Sequence, residues 1–232
     1  MAINLEEFCW LNKSDIVIEN DKFFIKSLSH SDFICSPVKG NVIANAPFLY
    51  KEGEGDFVIN ACVKPTFESV YDARAVFAYV DDKNWLKIAF EYTDLDTHSI
   101  VTVATENYSD DANGVDINEN AVFLQIIRKN NVFACHYSTD GIEYKMARIL
   151  RLNAPAKMKI GVAVQSPTGE GQLMEFSNLK MNEPRRKQRG TVRSPVELHS
   201  GFNTFLTAPR GGVLNPSARI TKTLPSDIRK SM

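Results

Sequence analysis

"NWLKIAFEY", residues 84–92, decides how the rest of the chain is read. It sets Leu86, Ile88, Phe90 and Tyr92 on one parity and Trp85, Lys87, Ala89 and Glu91 on the other. Successive side chains of a strand point to opposite faces, so one parity is expected in a core. A strand buried in a parallel sheet would be apolar on both faces. A plain surface strand would not hold a tryptophan among its polar positions. The segment therefore predicts a sheet with a packed face and a second face on which an indole stands beside charged groups.

Period-two alternation continues in both directions. "DIVIEN" and "KFFIKSL" are short candidate strands, and "FLYKEGEGDFVINACVKP" reads as strand, loop, strand, ended by Pro65. "AVFAYVDDKNWLKIAFEY" reads as a hairpin closed by Asp81, Asp82, Lys83 and Asn84. "SIVTVAT", "VFLQIIRKNN", "VFACHYS", "EYKMARIL", "MKIGVAVQ" and a closing "LMEFSNLKM" follow. The Asp140-Gly141 pair within "STDGIEY" is a hairpin signal, because both residue types tolerate positive φ. Roughly a dozen strands and no long run of helical period predict an all-β sandwich or jelly roll.

Composition splits the chain of 232 residues in two. Residues 1–184 hold 17 Lys and Arg against 26 Asp and Glu, a net of −9; residues 185–232 hold 10 against 2, a net of +8. After Met181 the alternation stops, and "NEPRRKQRGTVRSP" is basic and rich in chain breakers. A domain over 1–182 and a basic, flexible tail over 183–232 are expected. "RRKQR" has little aromatic interleaving, so it points to docking on the acidic body or on a partner rather than to nucleic acid. The first residues, "MAINLEEFCWLNK", show no secretory pattern, and no apolar run is long enough for a membrane helix. Cys9, Cys35, Cys62 and Cys135 are widely spaced without a CxxC pair. They read as reduced core thiols of a cytoplasmic protein.

The ordered set "FFIKSLSHSDF", "NAPFLYKEGEGDFVI", "YDARAVFAYVDDKNWLKIAFEY", "SIVTVATENYSD", "CHYSTDGIEYKMARI" and "GVAVQSPTGEG" resembles the regulation-of-enolase type domain, formerly a domain of unknown function. That family belongs to the concanavalin A-like lectin/glucanase superfamily. The resemblance covers about residues 10–182 and implies a jelly roll of two curved antiparallel sheets with one concave face as a groove. Trp85, Lys87 and Glu91 would line that groove. Strand parity adds Tyr71 and Tyr79, and Tyr50 and His136 complete the expected ligand-binding set. The chain departs from the family pattern at several polar positions. Ala73 stands where glutamine is usual, Tyr79 where arginine is, and Pro47 where histidine is. Phe123 and Gln125 replace a tryptophan and an arginine, and "ENYSD" replaces "SDWS". A changed ligand, a protein partner or a lost site would each account for this.

Aromatic faces beside charged groups suit a glycan or a protein segment, and a non-catalytic binding or regulatory module without cofactor or metal is expected. The alternative is a glycoside hydrolase with Glu91 as one of two flanking carboxylates. The E-x-D-x-x-E motif of the superfamily's glucanases is absent from the sequence. Cys135 and His136 are strand neighbours and point apart, which argues against a dyad. "SDDANGVDINEN", residues 109–120, reads as a solvated acidic loop; its oxygen donors are of the type Ca²⁺ takes, but their spacing is not that of an EF-hand.

Overall fold

The computed structural model describes residues 5–64 and 66–182. Pro65 and the basic segment 183–232, with the boundary and mobility expected for it, lie outside the described residues. Among those residues there are sixteen strands and no helix, hence none long and apolar enough to cross a membrane. In chain order they are β1 (Cys9–Leu11), β2 (Ile16–Glu19), β3 (Lys22–Lys26), β4 (Phe33–Cys35), β5 (Val42–Ala44), β6 (Phe48–Glu54), β7 (Phe57–Val63) and β8 (Ala73–Asp81). Then come β9 (Asn84–Tyr92), β10 (His98–Glu106), β11 (Tyr108–Asp116), β12 (Val122–Lys129), β13 (Val132–Ser138), β14 (Lys145–Arg151), β15 (Lys157–Gln165) and β16 (Leu173–Asn182).

Two seven-stranded sheets and a two-stranded hairpin result, every pairing antiparallel. The first sheet runs β1-β6-β15-β8-β9-β10-β11 and the second β14-β13-β12-β7-β16-β3-β2, with β4-β5 as the hairpin. The facing sides of the two sheets form the main core. Leu86, Ile88 and Phe90 of β9 pack there with Val76 and Ala78 of β8, Ile59 of β7, Leu124 and Ile126 of β12, and Phe176 of β16. This is the parity expected of the 84–92 stretch, and the protein is the all-β two-sheet sandwich that the alternation predicts.

The other parity of β9 does not face an open groove. Trp85 is completely buried in a second apolar cluster on the outer face of the first sheet. Phe33 of β4 lies on top, with its ring 4.8 Å from Phe77, 6.1 Å from Tyr79 and 6.4 Å from Trp85, centroid to centroid. Phe48 closes the side at 4.8 Å from Phe77. The Trp85 indole N–H donates to the Asp82 carbonyl at 3.2 Å, so no polar group is stranded. Phe33 and the rest of the hairpin thus cover half of the face expected to be exposed. Alternation reports which side a residue points to, and says nothing about what lies over that side.

Other differences have equally local causes. The stretch 109–120 is not a loop: its first part is β11, an edge strand whose residues are nearly all exposed. It shows no alternation because it has no packed face. Strands β1, β4 and β5 are three residues each, too short for a period to register. Cys35, Cys62 and Cys135 are buried thiols as expected, whereas Cys9 is exposed; all four are free. One contact joins the two sheets at an open side. Arg148 of β14 donates to the Asp110 carbonyl of β11 at 3.1 Å and to its carboxylate at 2.7 Å.

Replacing Trp85 with alanine empties a sealed aromatic site, so Trp85→Ala is expected to lower unfolding free energy by about 3–5 kcal/mol. Urea denaturation of both forms measures it. A loss below about 1 kcal/mol would contradict the sealed position.

Candidate functional site

The outer face of the first sheet holds the site, and register alone assembles its floor. Pairing aligns three rows of residues across adjacent strands. One row runs Phe77, Lys87, Val103, Asp111. The next runs Ala163, Ala75, Ala89, Val101, Asn113. The third runs Gln165, Ala73, Glu91, Ser99. Residues two apart share a face, so all three rows look the same way. The middle row is made of alanines over three strands, and little bulk rises from it. Lys87 of one flanking row reaches over these buried alanines to Gln165 of the other, Nζ to Oε1 at 2.8 Å, and Asp111 and Glu91 lie further along the same two rows.

A cavity of about 350 Å³ lies here, lined by Tyr71, Lys87, Glu91, Thr93, Asp94, Val103, Asp111, Asn113 and Gln165 of the sheet and its turns. Asp32, Phe33, Ile34 and Pro167 complete it from the covering segments. The same Phe33 that seals the aromatic cluster therefore forms one wall. Lys87 is 4% exposed and fully engaged: Nζ donates to the Phe33 carbonyl at 3.2 Å and to Gln165 Oε1 at 2.8 Å, and lies 3.8 Å from Asp32 Oδ1. It fastens the hairpin to the sheet. Asp32 is itself held by the Phe33 backbone N–H, which donates to Oδ1 at 2.7 Å.

Glu91 is the opposite case. It is 7% exposed, and among the described residues no hydrogen bond or ion pair within 4 Å reaches its carboxyl. Burial pushes its pKa up to about 8; Lys87 opposes this, and the Asp111, Asp32 and Asp94 charges add to it. Asp111 is raised too, by desolvation first and by Asp32, against the pull of Lys87 and Arg148. Thr93 begins a chain of hydroxyls at the rim, through Thr97 and Ser99 to the Asp116 carboxylate. Tyr71 sits just before β8 with φ of 69°, a left-handed conformation that costs a bulky residue roughly 1–2 kcal/mol. Its carbonyl accepts from Gln165 Nε2 at 3.4 Å, and its amide donates to the Tyr92 carbonyl at 2.6 Å. Strained residues of this kind concentrate at functional sites.

Of the seven residues expected to bind a ligand, the cavity brings together Tyr71, Lys87 and Glu91. Trp85 and Tyr79 point to the correct face but are sealed, with Tyr79 donating its hydroxyl to Asp82 Oδ1 at 2.5 Å. Tyr50 packs at the margin of the aromatic cluster on β6, with the Lys159 ammonium 5.5 Å from its ring centre. His136 belongs to the second sheet, where it pairs with Gln125; Phe133 and Cys135, its strand neighbours of the other parity, fill the main core. It therefore faces the opposite side of the sandwich, as do Phe123 and Gln125. Burial lowers its pKa, which favours the neutral ring. Asp111 and Asn113 were missed because they lie in the stretch read as a loop, and Asp32 because its segment shows no strand signal. Among the described residues no group of three or more His, Cys, Asp or Glu is arranged to hold a metal ion.

The antiparallel two-sheet sandwich is the fold class expected above, and it carries a polar, carboxyl-rich recess on one outer face. Comparison with known proteins gives the family: residues 10–184 match the one described as "Protein of unknown function (DUF1349)", and the chain belongs to it. It is 24% identical over 183 residues to "Regulation of enolase protein 1" of Saccharomyces cerevisiae, covering 78% of this chain and 91% of that protein. A crystal structure of a functionally unknown protein from Saccharomyces cerevisiae superposes with a TM-score of 0.73 at 23% identity, over 78% of this chain and 99% of that one. The carbohydrate binding module CBM66 from Bacillus subtilis shares the fold with a TM-score of 0.53 at 12% identity, over 78% and 98% of the two chains.

The Glu91 carboxyl makes stability depend on pH in a stated direction. Its folded pKa of about 8 exceeds the ordinary 4.5, so the folded state binds more protons than the unfolded state between those values. Its contribution is therefore expected to fall by a few kcal/mol, in order of magnitude, as pH rises from about 4.5 to about 8, and to level off above. Glu91→Gln removes the ionisation. Thermal unfolding from pH 5 to 9 should show a steeper decline for the wild type than for the variant; parallel curves would contradict an unpaired buried carboxyl.

Proposed function

We propose that this protein is a non-catalytic binding module whose cavity receives a glycan residue. The observation that carries the reading is the cavity on the outer face of the first sheet, lined by Glu91, Gln165, Lys87 and Asp111. A volume of about 350 Å³ suits a ligand of roughly one ring. Thr93, Asn113, Gln165 and the acids supply donors and acceptors that match hydroxyls, while Val103, Phe33, Ile34 and Pro167 supply apolar surface. The name of the structurally similar Bacillus subtilis module, carbohydrate binding module CBM66, supports the same reading. A long peptide groove is less well supported, because the indole and phenol that would have anchored a peptide are covered. Four free thiols accord with a cytoplasmic location, which we propose with it.

A second reading has one specific observation in its favour. Glu91 holds its proton near neutral pH while other carboxyls share the cavity, and paired carboxyls of unequal pKa are the equipment of a glycoside hydrolase. In that case Glu91 would be the acid.

Asn113 stands exposed at the rim on β11, so a large side chain there fills the mouth without disturbing the core. Calorimetric titration with a panel of neutral and amino monosaccharides is expected to show saturable binding that Asn113→Trp abolishes at unchanged melting temperature. Binding of none, or binding that Asn113→Trp leaves intact, overturns the site. Release of nitrophenol from nitrophenyl glycosides by the wild type and not by Glu91→Gln would replace the binding reading with the hydrolytic one.

A further inference from the structure

We propose that the cavity selects a ligand carrying a protonated amine beside hydroxyl groups, an amino sugar or amino polyol, with the Glu91 carboxylate as its counter-ion. This rests on the reading of the cavity as a glycan site and names the chemistry it prefers.

Charge is the first ground. Asp32, Glu91, Asp94 and Asp111 bring four carboxyls to the lining, and Lys87 brings the one ammonium. That ammonium is already committed to the Phe33 carbonyl, Gln165 and Asp32. A carboxylate or phosphate on the ligand would meet repulsion and no free cation.

The second ground is independent of the cluster. Glu91 is more than nine-tenths buried, lines the cavity, and has no hydrogen-bond or ion-pair partner among the described residues. The Glu91 carboxyl makes no bond within the protein and opens on the cavity rather than on the packed interior, so a ligand there is the group that can bond it. A neutral sugar satisfies it with one ordinary hydrogen bond. An ammonium satisfies it with a charge-assisted bond in a desolvated site, the stronger of the two.

The lining also discriminates among cations. Quaternary ammonium groups are bound by cages of exposed aromatic faces. Here Trp85 and Tyr79 are sealed beneath Phe33, and only Phe33 and Tyr71 of the aromatics reach the cavity wall, short of a cage. The polar group left at the rim is the exposed Asn113 amide, which calls for hydroxyls around the amine.

Proton exchange gives this a signature. The groups facing Glu91 are Lys87 on its own strand, Asp32 before β4, Asp94 after β9 and Asp111 on β11. With its pKa near 8, Glu91 is protonated in the free protein at pH 6.5, and pairing with an ammonium drives that proton into solvent.

Glucosamine, glucose and N-acetylglucosamine, titrated calorimetrically into the full chain at pH 6.5 in two buffers of different ionisation enthalpy, test the proposal. Glucosamine is expected to bind at least about tenfold more tightly than the other two and to release close to one proton. Glu91→Gln removes both the preference and the release. Asp94→Asn, a change at the exposed rim, weakens glucosamine about threefold and leaves proton release in place. Equal binding of the three sugars to the wild type overturns the amine preference while the glycan site stands. Binding of none overturns the glycan site and this inference together. Binding of lysine amide without any of the sugars would assign the cavity to a basic side chain of a protein, and likewise overturns it.

Discussion

β9 is buried on both faces, and everything on the outer side of its sheet follows from the need to cover it. Leu86, Ile88 and Phe90 are closed off by the second sheet. Trp85, with Phe77 and Tyr79 of β8, has no second sheet above it and is closed off by Phe33 and Phe48. Burying each such aromatic is worth about 1.5–3 kcal/mol, so the strapped-down hairpin retains far more stability than two three-residue strands could generate by their own pairing. Lys87 anchors that strap. A buried ammonium is unfavourable by itself, and here it is offset by two hydrogen bonds and a carboxylate drawn from two segments, Asp32 with Phe33 and Gln165.

The cavity is where this cover stops. Phe33 fills the space above the aromatic rows, but next to it the sheet offers only alanines from β15, β8 and β9. Over these alanines Lys87 bonds to Gln165, and the polar side chains of the neighbouring rows face a cavity instead of an apolar lid. Packing and site are thus two outcomes of one pattern, bulky residues along part of the outer face and small ones along the rest. The unpaired carboxyl of Glu91 is a local conflict that a core would not retain, and such conflicts are expected where a structure serves recognition. The left-handed backbone at Tyr71 is a second conflict at the same rim.

Most of the sandwich was legible in the chain because alternation survives wherever one face is packed and the other differs. β9, β12 and β15 show it plainly, and the parity of Leu86, Ile88 and Phe90 was read correctly. Register was not legible, and register is what brings Asp111 and Asn113 of β11 into the rows of Lys87 and Ala89, across β10. Nor does alternation say to which sheet a strand belongs. His136 was given the correct outward parity and the wrong side of the protein. Trp85 shows the same limit in another form: its direction was written in the sequence, but its cover came from a segment some fifty residues earlier whose strands are too short to announce themselves. Asp32 and Phe33 were invisible as site residues for that reason.

The bond from Arg148 to Asp110 has a consequence for how copies of this protein behave toward one another. An outermost strand carries free backbone donors and acceptors, and a neighbouring chain can add to them as one more strand, the first step toward fibrous aggregates. β11 is such a strand, nine residues long. Its Asp110 carbonyl is occupied by the guanidinium of β14, and its negative charges repel an identical strand laid alongside. One arginine therefore bridges two margins of the fold, and its bond, with the charges of the strand, counts against such an addition at β11.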